Sequence, residues 1–317
     1  MSFEKQFFQY NSRIFGTSGI VGNVFSLLII FSVKTAETNN FRALLILYCL
    51  VDFLYCVFHI WAQPGFAIVD NVYVYFSYSI TGETIFGKII LAIFAFLFIE
   101  SITVLMTLFL VRFYSIRNIQ SSSSSTSRIL KIIIFSSILI FPTLYCLAVF
   151  ALWEKKGVTD DEMKMIALKL LETENIVAYA ARTNSTDPLI SVIIFCGSYV
   201  SCSLRKISAS EKTRKLQKQI LIYHIIQTVS VFFCCGFHVT LFAISTYLEK
   251  STNFIGTISS AALIWFPTFD CVILCSCLSS YRNAIKRVYE ALTGAKQNTI
   301  GEASQNHTRT GSTGNKI

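Results

Sequence analysis

Charge is scarce in this chain. Only 14% of its 317 residues are Asp, Glu, Lys or Arg, against 53% hydrophobic residues, and the mean hydropathy is positive. A soluble domain cannot bury that much apolar surface, which excludes a water-exposed globule and makes lipid the surrounding medium. Proline is scarcer still, with four in the chain, so most of the long apolar stretches run without an internal helix breaker. The four histidines are too scattered for a metal site. No glycine loop of the phosphate-cradling kind occurs, and no serine or cysteine stands beside a base in a defined motif. Catalysis is therefore not expected, and neither is a cofactor.

What is present in number points the same way. Ten cysteines all lie inside or at the edges of apolar stretches and read as small buried hydrophobes, not as a disulfide framework. The net charge of +9 would suggest nucleic acid if the basic residues formed a patch, but they punctuate apolar runs, so no nucleic-acid partner is expected.

Crossing about 30 Å of hydrocarbon at 1.5 Å per residue takes about 20 mostly apolar residues. Seven such runs occur, at about 14–33, 41–62, 85–111, 129–153, 188–203, 220–247 and 254–278. The expectation is an all-α membrane protein: a seven-transmembrane helix bundle over residues 1–292, a short interfacial helix at 280–291, and a flexible cytoplasmic tail over 293–317. The first run is long enough to act as a signal anchor. Most of the 27 Lys and Arg residues fall after the odd-numbered runs, among them Arg112, Arg214, Lys215, Lys218 and Arg282. Because insertion retains positive loops in the cytoplasm, the amino terminus is expected outside and the carboxyl terminus in the cytoplasm. The sequon Asn184-Ser185-Thr186, between the fourth and fifth runs, would then face the lumen as a glycosylation site, whereas Asn306-His307-Thr308 would not.

Polar groups inside apolar runs mark candidate functional positions, since they rarely face lipid. Asn23, Asp52, Glu100 and Asp270 lie ten to twelve residues from Lys34, Arg42, Arg112 and Arg282. That is about 15 to 18 Å along a helix, close to the bilayer midplane. Two readings stand for this layer. One is a polar switch network of Asn23, Asp52 and Asp270, with Glu100 and His238 nearer a ligand pocket; the other is interhelical packing, each group bonded to a neighbour. Pro142 and Pro267 sit within the fourth and seventh runs, where a missing donor kinks a helix. A kink at Pro267 would serve equally as a hinge or as a structural bend.

Several segments in order resemble the nematode serpentine chemoreceptors of the Str superfamily. Phe266-Pro267-Thr268-Phe269-Asp270-Cys271, followed by Ser280-Tyr281-Arg282-Asn283-Ala284-Ile285, is similar to that family's seventh-span Phe-Pro-x-x-Asp-Pro and the basic segment after it, with Cys271 in place of the proline. Thr213-Arg214-Lys215-Leu216-Gln217-Lys218-Gln219 with Ile226-Gln227-Thr228 resembles the start of its sixth span. Asn40-Phe41-Arg42 through Asp52, and Val111-Arg112-Phe113-Tyr114, resemble parts of its second and third spans.

The resemblance implies sensing of an odorant-like small molecule in a sensory neuron, at the plasma or ciliary membrane, with signalling through a heterotrimeric G protein. Arg112, Tyr114, Arg214, Lys215, Lys218 and Arg282 are the candidate G-protein contacts, though Arg112 reads equally as a positive-inside anchor. Two other classes compete: a seven-span ligand-gated cation channel of the odorant-receptor type, which the charge bias opposes, and a transporter, for which no inverted repeat is evident. No cysteine pair is available to staple the third span to the large loop after the fourth, so that loop must be held by packing alone or be mobile.

Overall fold

A computed structural model describes residues 3–32, 39–69, 72–81, 85–118, 158–171, 176–182 and 253–293, with short pieces between 136 and 147 and between 222 and 234. In chain order the elements are α1 (Phe3–Ser32), α2 (Asn39–Ala62), β1 (Pro64–Val69), β2 (Val72–Thr81), α3 (Ile85–Asn118), α4 (Asp160–Leu171), β3 (Ile176–Arg182), α5 (Asn253–Leu263), α6 (Trp265–Cys277) and α7 (Ser279–Thr293). Four described segments are long and apolar enough to cross a membrane: Lys5–Ser32, Arg42–Ala62, Ile85–Leu108 and Gly256–Cys277. They coincide with the first, second, third and seventh apolar runs. The other three runs fall wholly or largely outside the described residues.

α2 packs between α1 and α3, and α6 lies against α1. The approach of α1 is set by Gly16, Gly19 and Gly22, three residues apart on one side of the helix. A Cβ on them would stand 2.5 Å from Ile60 Cγ1, 2.6 Å from Cys56 Sγ and 2.9 Å from Cys271 Cβ respectively. In lipid, where hydrophobicity does not drive helices together, such small residues let backbones approach and gain van der Waals contact. α1 also begins well before its apolar run, at Phe3. Phe8, Asn11 and Ser12 in that extension are buried, so the helix continues where neighbouring elements cover it.

The structure departs from an all-helical expectation at one end of the bundle, where three strands form an antiparallel sheet in the order β1-β2-β3. β1 pairs with β2 from Pro64↔Ser77 to Val69↔Val72, and β2 pairs with β3 from Val72↔Arg182 to Phe76↔Ala178. The alternation Val72-Tyr73-Val74-Tyr75 suits a strand packed on both faces. Val72, Val74, Phe76 and Tyr78 join Phe8, Val158, Met163, Ile166, Ala167 and Ala261 in one cluster. Tyr75, on the opposite face, joins Ile90, Leu91, Phe94, Val177 and Ile264 in another. The loop after the fourth run is therefore held by strand pairing as well as by packing. Thr159 and Glu162 close the start of α4 reciprocally, with Thr159 N–H donating to Glu162 Oε2 at 2.9 Å and Glu162 N–H to Thr159 Oγ1 at 3.3 Å, a capping box.

The sheet is fastened to the helices beneath it. Phe66 N–H donates to Ser260 Oγ at 3.0 Å, Tyr78 and Thr257 share a hydroxyl hydrogen bond of 3.0 Å, and Tyr75 Oη donates to Leu91 O at 2.9 Å. At Gly256 a Cβ would fall 2.4 Å from Phe66 O, so this crossing of α5 and β1 requires glycine. At the opposite end an apolar cluster that includes Ile29, Leu45, Leu108, Leu274 and Leu278 receives Tyr281 of α7, with Ala284 and Ile285 packed beside it. Cys49, Cys56, Cys234 and Cys271 are free and buried, and Cys275 and Cys277 free and half-buried, as their apolar settings in the sequence imply.

Candidate functional site

Many of the polar groups between the described helices lie on one face of α2, while Asn11 of α1 bonds Ala261 O and Trp265 Nε1 at 3.0 and 2.9 Å. Tyr48, Asp52, Tyr55, His59 and Gln63 recur at intervals of three or four residues, which places them in a stripe along the helix and the residue capping it. All five are at least 96% buried. A buried polar group without a partner costs about 1 to 3 kcal/mol, and most of this stripe is satisfied by reaching a different helix at each level.

Nearest the α7 end, Tyr48 Oη donates to Asp270 Oδ2 of α6. One turn on, Asp52 Oδ1 accepts from Ser101 Oγ of α3. Next, Tyr55 Oη donates to the Leu263 carbonyl at the end of α5, 3.2 Å away. His59 Nδ1 then meets Ser12 Oγ of α1 at 2.7 Å, with its ring against Phe94 and Phe8 at centroid distances of 5.4 and 6.0 Å. Gln63 closes the helix with a positive φ of 44°, its N–H bonded to His59 O at 2.8 Å and its carbonyl accepting from Tyr78 N–H at 3.0 Å. α2 is thus tied to α3, to both segments of the seventh run, to α1 and to the sheet.

Pro267 explains one of these rungs. Its ring removes the N–H that would bond Leu263 O four residues back and crowds that carbonyl. The helix accordingly breaks at Ile264 and restarts at Trp265, which leaves Pro267 in a first turn, where a missing N–H is tolerated. The orphaned Leu263 carbonyl is the acceptor of Tyr55. The interruption therefore falls three residues before the proline, and Asp270 lies on the restarted helix below it.

The sequence-predicted residues are distributed unevenly around this stripe. Asp52 and Asp270 are both engaged by it, on neighbouring turns, and each keeps one buried carboxylate oxygen, Asp52 Oδ2 and Asp270 Oδ1, without a hydrogen-bond partner. Asn23 is buried, and its amide donates within its own helix to Gly19 O at 2.9 Å. Glu100 is 7% exposed and its Oε2 has no partner; it adjoins Ser101 in sequence. Arg282 Nη1 donates to the Ser276 carbonyl at the end of α6, so this candidate partner contact also caps a helix. Arg112 and Tyr114 lie on the last turns of α3. Asn184, Arg214, Lys215, Lys218 and His238 lie outside the described residues.

Sequence reasoning missed Tyr48, Tyr55, His59, Ser12 and Ser101. The spacing of the α2 stripe was the available signal, obscured because tyrosine counts as apolar in a search for spans. A groove of about 260 Å³ is lined by Ile226, Val229, Ser230, Phe233, Cys234 and Phe269. It does not include Glu100.

The sequence matches the profile described as "Serpentine type 7TM GPCR chemoreceptor Str" in two overlapping segments, residues 6–187 and 169–286. No curated protein matches the chain.

Proposed function

The chain belongs to the serpentine Str family of seven-transmembrane GPCR chemoreceptors, and on that premise we propose that it binds an odorant-like small molecule and signals to a heterotrimeric G protein. The observation that carries this reading is the family match, which runs from residue 6 to residue 286. In this reading the bundle crosses the membrane seven times over residues 1–292, and the tail over 293–317 is cytoplasmic. The sheet end faces outside, Asn184 carries glycan, and the α7 end, with Arg282, Lys286 and Arg287, faces the cytoplasm. The bias of Lys and Arg toward that side supports the orientation. The membrane is the plasma membrane, including its ciliary part in a sensory neuron.

Glu100 and His238 are proposed to line the ligand pocket. The unpartnered Glu100 Oε2 supports this role, because a buried carboxylate oxygen without a protein donor is one that a ligand donor can satisfy. Asn23, Asp52, Pro267 and Asp270 are proposed as the switch, and Arg112, Tyr114, Arg214, Lys215, Lys218 and Arg282 as the G-protein face. A ligand shifts such a switch only through its differential affinity for the two states.

The test is a small-molecule screen in cells reporting calcium and cyclic nucleotides, followed by dose-response curves. Glu100→Ala is expected to move the half-maximal concentration by about tenfold with surface delivery intact. Unchanged curves at normal surface levels would retire the pocket assignment. Glycan on Asn306 and none on Asn184 would reverse the topology and favour a channel.

A further inference from the structure

The seventh run is held by α2 at two points that straddle its break. Above the interruption, Tyr55 Oη donates to Leu263 O, the carbonyl that Pro267 leaves without its helical donor. Below it, Tyr48 Oη donates to Asp270 Oδ2, three residues past the proline. The two tyrosines are seven residues apart, two turns of one helix, and both are buried along with Asp270, at 1%, 3% and 3% exposure.

The two bonds have different consequences when broken. Leu263 O sits at the break itself, so the upper bond fixes the pivot together with Asn11, which bonds Ala261 O before the break and Trp265 Nε1 after it. Asp270 sits on α6, which runs on to Cys277 and directly into α7 through Leu278, so the lower bond fixes a lever that carries the α7 end. Among the described residues, Trp265 Nε1 of α6 donates to Asn11 Oδ1 of α1 at 2.9 Å beside the break, so this bond holds the pivot and not the far end of the lever. Asp270 Oδ1 has no partner, and Thr268, which donates to Phe15 O of α1 at 2.9 Å, lies close to the pivot.

We propose that Tyr48 and Tyr55 form a two-point clamp across the Pro267 break, with Tyr55 helping to fix the pivot, and that loss of the Tyr48–Asp270 bond releases α6 and α7 to swing away from α2. Tyr48 is a positioning residue: it acts on the lever through Asp270 and needs no contact with a ligand. The proposal deepens the receptor reading, on which its link to signalling rests, by naming the bond that restrains the resting state.

The experiment uses the full chain in lipid nanodiscs, with unnatural spin-labelled amino acids at Ala43, near the start of α2, and Ser276, near the end of α6, both exposed. Pulsed electron resonance reads the distance between them without any ligand. Tyr48→Phe, which keeps the ring and removes the hydroxyl, is expected to add a second, longer population. Asp270→Asn, nearly the same size, is expected to do so more weakly, and combining the two is expected to add nothing beyond Tyr48→Phe.

A wild-type distribution in a Tyr48→Phe protein that elutes as a folded monodisperse species would overturn the clamp. Should that variant not fold, Asp270→Asn takes its place, and an unchanged distribution there overturns the clamp in the same way. Ligand-free nucleotide exchange is measured in parallel with heterotrimeric G proteins of the stimulatory, inhibitory and phospholipase-activating classes. A rise of about tenfold with the longer distance supports both the clamp and the receptor reading. The longer distance with no exchange by any class supports the clamp and overturns the receptor reading alone.

Discussion

Both ends of the bundle have apolar clusters, but one of them adds a hydrogen-bonded sheet that the other lacks among the described residues. At the sheet end, apolar clusters on both faces are locked by backbone ladders, hydroxyls and close approaches: three paired strands, the Phe66–Ser260 and Tyr78–Thr257 bonds, and a glycine crossing with no room for a methyl group. At the α7 end, order comes from an apolar cluster into which Tyr281 inserts, while the outer face of α7 leaves Val288 and Tyr289 exposed beside basic residues. Hydrogen-bonded layers have one register and resist small displacements. Apolar contacts between helices are less directional and accept small shears.

Substitutions at the two ends can break that comparison. Tyr281→Ala, which empties a side chain only 2% exposed, is expected to cost about 3 kcal/mol. It would be read as a lower midpoint of thermal unfolding in detergent, with faster amide exchange in residues 279–293. Gly256→Ala places a carbon 2.4 Å from a backbone oxygen, which cannot step aside as a side-chain end could. About 2 kcal/mol is expected, with exchange quickening in β1 and β2 but not in α7. If instead Gly256→Ala loosened both ends equally, the division into two regimes would be wrong. The smallest effect belongs to Lys286→Ala. Its partner Glu290 lies 3.7 Å away in a pair whose lysine is 75% exposed, and such surface pairs contribute about 0.5 kcal/mol or less. No change in the unfolding midpoint is expected, and a drop of several degrees would mean that α7 depends on charge.

Much of the fold is legible in the sequence, and the exceptions have identifiable causes. The first, second, third and seventh runs stand out because a spanning helix must be long and apolar along its whole length. Asp52 and Asp270 stand out because a carboxyl in such a run is rarely incidental. The sheet was missed although Val72-Tyr73-Val74-Tyr75 alternates beside Asp70-Asn71, a turn-forming pair. A search for spans reads a stretch of this length as a loop. β3 could not be paired from the sequence at all, because its partner β2 lies far back along the chain, with further apolar runs between. Tyr48 and Tyr55 were hidden by their aromatic rings, which count as apolar until a specific acceptor stands opposite the hydroxyl.

The sequence by itself determined that this chain lives in lipid, where the four described spanning helices lie, and the family to which it belongs, since each of these follows from residue types along a line. Only the tertiary structure decided what the buried polar groups hold. Whether Tyr48 meets Asp270, whether Asp52 meets Ser101, and whether the carbonyl freed by Pro267 finds Tyr55 all depend on how helices face one another. That facing is set by glycine contacts, strand register and the break at Ile264, which pattern along one helix does not encode.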